Sequence, residues 1–269
     1  MPFTLAHGSA VLPFRGSRLV FSALLVGSFA PDFEYFLRLA PEGRFAHTLL
    51  GAFVLDLPLA LLVLWLFYSF VKLPLLKLLP DALMRRLVDR LHKFHFGGAA
   101  RFALITSSVL AGIMTHLAWD SLTHPNTWPY RHWRVFAQPV NLPIVGLIPF
   151  YKVLQHGSTI IGLGIFATWL AVRYHRCQLS SKKLDNSASP MRKVGISAAV
   201  LTVAVVGAAT RAFVVTGIPI GYPAERRFVG VFVAAAIALV WWQLLAYGVF
   251  LSKMRESCQD EPAGNEAGV

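Results

Sequence analysis

Charge is scarce in this 269-residue chain: Asp, Glu, Lys and Arg make up 14% of it, and hydrophobic residues 56%. Soluble domains carry about 25% charge and roughly 45–50% apolar residues. That shortage excludes a soluble globular domain and points to an integral membrane protein. Cysteine is also scarce. Cys177 and Cys258 are the only two and have no CxxC spacing, which excludes a disulfide framework and a cysteine-based zinc or redox motif. No internal repeat or low-complexity tract stands out. MPFTLAH lacks a basic start, and Arg15 and Arg18 precede an apolar run without a small-residue cleavage motif, so no cleavable signal peptide is expected. The net charge of +12 invites a nucleic-acid reading. These charges flank apolar stretches, however, where anionic lipid headgroups account for them, and no nucleic-acid partner is expected.

The apolar stretches come next. Leu49 to Val71, Phe102 to Trp119, Val194 to Ile218 and Phe228 to Leu251 reach or approach the ~20 residues that cross a bilayer, and the nearly uncharged Gly157 to Val172 makes a fifth. Leu19 to Ala30 is twelve residues long and ends at Pro31-Asp32, which fits an interfacial, re-entrant or buried core helix better than a span. The expected fold is all-α: a polytopic membrane protein with about five transmembrane helices, that short N-terminal helix and an amphipathic cytoplasmic helix. The expected organisation is a metal-site membrane domain over 1–179, a polar linker over 180–193, a two-helix membrane segment over 194–251 and a disordered tail over 252–269.

Basic residues orient the spans. Lys72 to Arg101, Arg173 to Lys193 and the C-terminal tail together hold fifteen Lys and Arg, whereas residues 1–48, 120–156 and 219–227 hold nine. The positive-inside rule makes the first set cytoplasmic, with the C-terminus, in a multi-pass protein. If Leu19 to Ala30 does not span, residues 1–48 and the loop after Asp120 share the opposite side. Both cysteines fall on the cytoplasmic side and are expected to be thiols.

Two connecting segments have character of their own. From Asp81 to Phe94, Leu83, Leu87, Leu91 and Phe94 recur at helical spacing among basic residues, which predicts a helix lying on the membrane surface. His92 and His95, in the wider segment 72–101, read as solvated rather than chelating. Residues 120–156 are rich in aromatics and proline. Trp128, Tyr130 and Trp133 suit the headgroup level, and Arg131 and Arg134 among them either snorkel or hold a phosphate.

The chemistry concentrates in His116-x3-Asp120-x3-His124, where an apolar segment meets the polar loop. Residues four apart on a helix lie one above another, so His116 and Asp120 share a face, and His124 joins them if the helix persists. Imidazole and carboxylate are ligands for zinc, manganese or iron, and at a membrane boundary such groups are costly to bury without a function. On the same expected side lie His7, Asp32, Glu34 and His47. Four histidines and three carboxylates suffice for one metal ion or two. An ion would draw the pKa of bound water towards about 7, and Glu34 or Asp32 would act as general base.

Plainer readings stand beside these. His116 and Asp120 can form a structural pair, Asp32 can cap the helix Phe33 to Leu39, and Glu34 can be a solvated first-turn acid. Asp56, inside a span beside Pro58, can satisfy backbone freed by that proline or pair with another helix. His156 reads equally as a capping residue.

Four ordered motifs, MPFTLAHGSAVLPFR, GSFAPDFEYF, RFAHTLLGAF and HLAWDSLTHPNTWP, resemble a bacterial membrane family of unknown function, domain-of-unknown-function family 4184. More distantly the arrangement is similar to the membrane-bound metal-dependent hydrolases, whose pattern falls here on His7, Asp32, Glu34, His47, His116 and Asp120. The HxxxD usage also resembles that of the all-helical zinc phospholipase C fold. Two departures are visible: Tyr35-Phe36 stand where the hydrolase pattern carries a further His or acid, and His124 stands where it has proline. The resemblance covers roughly residues 1–156. It implies a metal-dependent hydrolase acting on a lipid-linked or phosphate-containing amphiphile, with zinc the first expectation and manganese or iron the others. The alternative is a non-catalytic metal-binding, transport or scaffold protein. A third reading, polar residues as interhelical glue, makes poor use of four histidines.

Overall fold

The computed structural model describes residues 3–90, 94–143, 146–180 and 189–259. Five helices in it are long and apolar enough to cross a membrane: Leu49–Leu78, Ala99–His132, Phe150–Arg176, Pro190–Thr216 and Tyr222–Met254. Each contains most or all of one apolar stretch and extends it with polar turns. The all-α expectation needs one addition. Pro139–Leu142 and Gly146–Pro149 form an antiparallel hairpin, with Pro139 opposite Pro149 and Leu142 opposite Gly146. Gly146 takes a φ of +79°, which glycine adopts without a Cβ penalty.

The segment Leu19 to Ala30 becomes a nine-residue helix, Phe21–Phe29. At ~1.5 Å per residue it is about 14 Å long, half the ~30 Å hydrocarbon core, so it cannot span. It is instead packed against Ala99–Thr123, and two glycines allow the contact. A Cβ on Gly27 would stand 2.2 Å from the Val109 carbonyl oxygen, and one on Gly112 would stand 2.2 Å from that of Leu24. Ser108 on the long helix accepts a hydrogen bond from the Val20 N–H, 2.9 Å, at the start of the short one.

The chain divides into two compact units, neither continuous in sequence: residues 1–35, 42–64 and 95–177 form one, and residues 36–41, 65–94 and 178–269 the other. The interleaving has a simple origin, since the 30-residue helix Leu49–Leu78 contributes its first part to one unit and its last to the other.

In the first unit the N-terminal turn Thr4–His7 packs against Phe150–Arg176, where Gly162 faces Ala6 and Ser9. In the second, Pro190–Thr216 and Tyr222–Gln259 pair through small side chains, with Ala204, Ala208, Ala212, Ala234, Ala235 and Ala238 buried. Such residues let helices approach closely in lipid. The helix Tyr222–Gln259 covers the first part of the tail expected to be disordered; residues 260–269 lie outside the described residues. Arg211, the charge inside a span, donates to the Arg38 carbonyl, 3.4 Å. The surface helix expected from Asp81 to Phe94 is shorter, Asp81–Leu87 followed by a 3-10 turn Val88–Arg90; Leu91 and His92 lie outside the described residues. Cys177 is in no disulfide, and the side chain of Cys258 is likewise not described.

Candidate metal centre

All the proposed ligands lie in the first unit. His116 and Asp120 project from one face of Ala99–Thr123, 0% and 6% exposed. The glycine-mediated approach of Phe21–Phe29 brings the Ser28 carbonyl 2.8 Å from His116 Nδ1. Only a ring N–H can donate to that carbonyl, so the contact fixes the tautomer and leaves Nε2 as a lone-pair donor turned towards Asp120. Pro31 then tightens the chain into the 3-10 turn Ala30–Asp32. Asp32 does not spend its carboxylate on the cap expected of it: Oδ2 accepts from Thr4 Oγ1, 2.5 Å, and Oδ1 faces the histidines.

His47 arrives from a different direction. Thr48 caps the first span, its Oγ1 accepting from the Gly51 N–H at 2.9 Å, so His47 sits immediately before the helix. Glu34 is 4% exposed and its Oε2 accepts from the Ala46 N–H at 3.0 Å. The solvated-acid reading of Glu34 therefore falls, and the residue holds the His47 loop. Tyr35, 7% exposed, places its hydroxyl 3.3 Å from His47 Nε2. Burial, helped by the nearby carboxylates, pushes that phenol well above its ordinary range, so it keeps its proton.

The donor atoms form a closed ring. His47 Nε2 and His116 Nε2 each lie 3.4 Å from Asp120 Oδ2, and lie 3.6 and 3.8 Å from Asp32 Oδ1. Metal bonds of about 2.0–2.2 Å in a tetrahedron put neighbouring donors about 3.3–3.6 Å apart. The distances are long for hydrogen bonds, and three of the four fall in the range for donors around a common cation. Among the described residues, His7 Nε2, Asp32 Oδ1, His116 Nε2 and both oxygens of Asp120 are buried without a hydrogen-bond partner. Leaving so many polar atoms unsatisfied is costly. Two overlapping donor groups are compact enough for an ion: His7, Asp32 and His116, and His47, His116 and Asp120.

The electrostatics agree. Burial, with His116 second, pushes the His7 imidazole down to about 4, so near neutral pH one ring nitrogen has its lone pair available. Burial also opposes protonation of His47, but its bonding to Asp120 and Asp32 outweighs this and raises it to about 9. A cation binding there would displace that proton.

His124 sits at the edge of the cluster, off the helix. Pro125 disfavours helical backbone in the residue before it; the helix ends at Thr123, and His124 is extended, at φ −120° and ψ 148°. Its Nδ1 lies 3.1 Å from the Asp120 carbonyl and 3.6 Å from Asp120 Oδ1. Arg131 and Arg134 are exposed, on Trp128–His132 and Arg134–Phe136, and neither is among the grouped donors. Trp128 and Trp133, 62% and 49% exposed, suit an interfacial belt. Asp56 is fully buried in the π-helical turn Ala52–Asp56, a widening that accommodates Pro58. Neither of its oxygens has a hydrogen-bond partner among the described residues, so it repairs no backbone there.

Thr4 and Tyr35 were invisible to sequence pattern. Threonine and tyrosine are not first-choice ligands, and only the fold brings residue 4 to residue 32 and residue 35 to residue 47. Thr4→Val should weaken divalent-ion binding about 10–100-fold while the protein stays folded, because the lost hydroxyl orients Asp32. A competition titration with a fluorescent chelator checks this, and unchanged affinity would remove Thr4 from the account.

Residues 1–249 match the family described as a domain of unknown function, DUF4184, and the chain belongs to that family. The match runs well past residue 156, through four of the five long apolar helices and most of the fifth. No curated protein and no solved structure matches the chain.

Proposed function

We propose that the chain is a membrane-embedded, metal-dependent hydrolase of a lipid-linked or otherwise amphiphilic phosphate. The observation that carries this reading is the ring of donor atoms, of which His116 Nε2, Asp32 Oδ1 and both Asp120 oxygens are buried with no hydrogen-bond partner among the described residues. A bound divalent ion, zinc first and manganese or iron next, would supply Lewis acidity and lower the pKa of coordinated water towards about 7. His47, His116 and Asp120, joined by the two shorter edges of 3.4 Å, are the holding set. Asp32 lies slightly further out, at 3.6 and 3.8 Å, at the corner from which a carboxylate accepts a proton from water. Glu34 positions His47 through Ala46. Tyr35 offers a protonated hydroxyl to an oxygen of the reacting group. His47 and His124, with side chains 19% and 24% exposed, mark the side open to substrate. The segment bearing Arg131 and Arg134 packs beside the end of the same long helix, where exposed guanidinium groups suit a phosphate. The basic count favours a cytoplasmic C-terminus and, with it, a cluster at the outer face of the inner membrane.

Full-length protein in lipid nanodiscs, tested on phospholipids and isoprenoid phosphates, should release product when loaded with ion and stop when chelated. Glu34→Gln keeps an acceptor for the Ala46 N–H and should retain activity within a few-fold; a loss of about 10²–10⁴ would make Glu34 the general base instead. Bound ion without turnover on any substrate would overturn hydrolysis. It would favour cation transport or sensing, a second reading to which the buried, unpartnered Asp56 inside a span lends support.

A further inference from the structure

His7 stacks on His116, with ring centroids 3.7 Å apart and planes within 17°. Imidazoles that share one tetrahedral ion have their ring centres about 5 Å apart, because their lone pairs must converge. His47 and His116 meet that requirement, at 5.4 Å and 66°. His7 and His116 do not. The lone pairs of two nearly parallel stacked rings run side by side and address two points separated by about the stacking distance. Both rings turn Nε2 to Asp120, but to different oxygens: His116 lies 3.4 Å from Oδ2, and His7 lies 3.5 Å from Oδ1. A carboxylate that presents its two oxygens to two such donors is arranged as a bridge, and bridged ions in hydrolytic centres sit about 3.5–4 Å apart.

From this geometry we infer that the centre holds two divalent cations, not one, with Asp120 bridging them. The first position is the one already described, at His47 Nε2, His116 Nε2 and Asp120 Oδ2. The second is at His7 Nε2 and Asp120 Oδ1. His7 is 1% exposed, and both of its ring nitrogens lack hydrogen-bond partners among the described residues, as does Asp120 Oδ1. A neutral buried imidazole left with no partner at either nitrogen is unexplained by packing alone. Asp32 falls between the positions, since its carboxylate groups with His7 and His116 and also faces His47. His124 Nδ1, 3.6 Å from Asp120 Oδ1, stands on the side of the second position. That position has fewer fixed protein donors than the first, which suits it to an ion whose remaining sites are filled by water or by a phosphate oxygen of the substrate.

The inference rests on the metal reading of the preceding section, and one experiment separates the two. Purified full-length protein in nanodiscs is stripped with chelator, loaded with Mn²⁺, desalted and measured for ion content and by electron paramagnetic resonance. Two ions per chain and an exchange-coupled spectrum are expected. His7→Gln and His7→Ala should lower the content to one ion and give the six-line spectrum of isolated Mn²⁺, with thermal unfolding of the metal-free protein showing that each variant is folded. One ion per wild-type chain with a six-line spectrum overturns the second position and leaves the first standing. Two ions that survive both His7 substitutions also overturn it. No bound ion overturns both readings.

Discussion

Asp120→Ala is expected to abolish divalent-ion binding and hydrolysis together. Asp120 is the residue on which the other donors converge: His7 and His124 face its Oδ1, and His47 and His116 face its Oδ2. Substitution of a residue that merely orients a ligand costs about 10–100-fold in affinity. Loss of a ligand shared between positions should exceed that, by about 10³-fold or more, equivalent to about 4 kcal/mol. Asp120→Asn separates charge from shape. The amide fills the same space and still offers one carbonyl oxygen, so a bridging carboxylate predicts nearly the full loss in this variant too. Isothermal titration with Zn²⁺ and hydrolysis assays on the same preparations check both. Asp120→Asn with unchanged ion affinity would show that the carboxylate is structural.

The second large effect lies away from the ligands. Gly27→Ala should destabilise the fold by about 3 kcal/mol or more, at the upper end of what overpacking costs. The added Cβ would stand 2.2 Å from the Val109 carbonyl oxygen, and both partners are helical backbone, which cannot rotate away. Gly112→Ala meets the Leu24 carbonyl at the same distance. If the helices separate to accommodate the methyl, Ser28 moves with Phe21–Phe29, and the 2.8 Å contact that fixes His116 is lost. Ion affinity should therefore fall with stability, although neither glycine touches the site. Gly164→Ala is the control: nothing lies within 4 Å of its Cβ position, and little change is expected. Thermal unfolding in detergent reads the first effect and ion titration the second. Gly27→Ala as stable as wild type would mean that the two helices are not packed as described.

How far the sequence carried these conclusions depends on the range of the forces involved. Length and hydropathy are local, and all five long helices were legible because a bilayer sets a minimum run that only such segments reach. The pairing of His116 with Asp120 was legible for the same reason, since helical spacing alone puts them on one face. Demoting Leu19 to Ala30 from span to short helix allowed His7, Asp32 and His47 to share a side with them, and the structure brings those five into one cluster. What was missed depends mostly on tertiary contact, with one local exception. His124 left the helical register because Pro125 acts on the residue before it, a local rule that could have been applied. The role of Glu34 needed the Ala46 N–H, twelve residues away. The stacking of His7 on His116 spans more than a hundred residues and has no signature in pattern. The units divide after Leu64, inside the apolar stretch Leu49 to Val71, where hydropathy marks no boundary.

The most direct measurement for the central claim is the metal content of the full-length protein, purified without chelator and read by mass spectrometry. The account predicts at least one equivalent of zinc, manganese or iron per chain, a lower unfolding temperature after chelation, and recovery on adding the ion back. Protein that carries no ion, takes none up, and unfolds at the same temperature with and without chelator would contradict it.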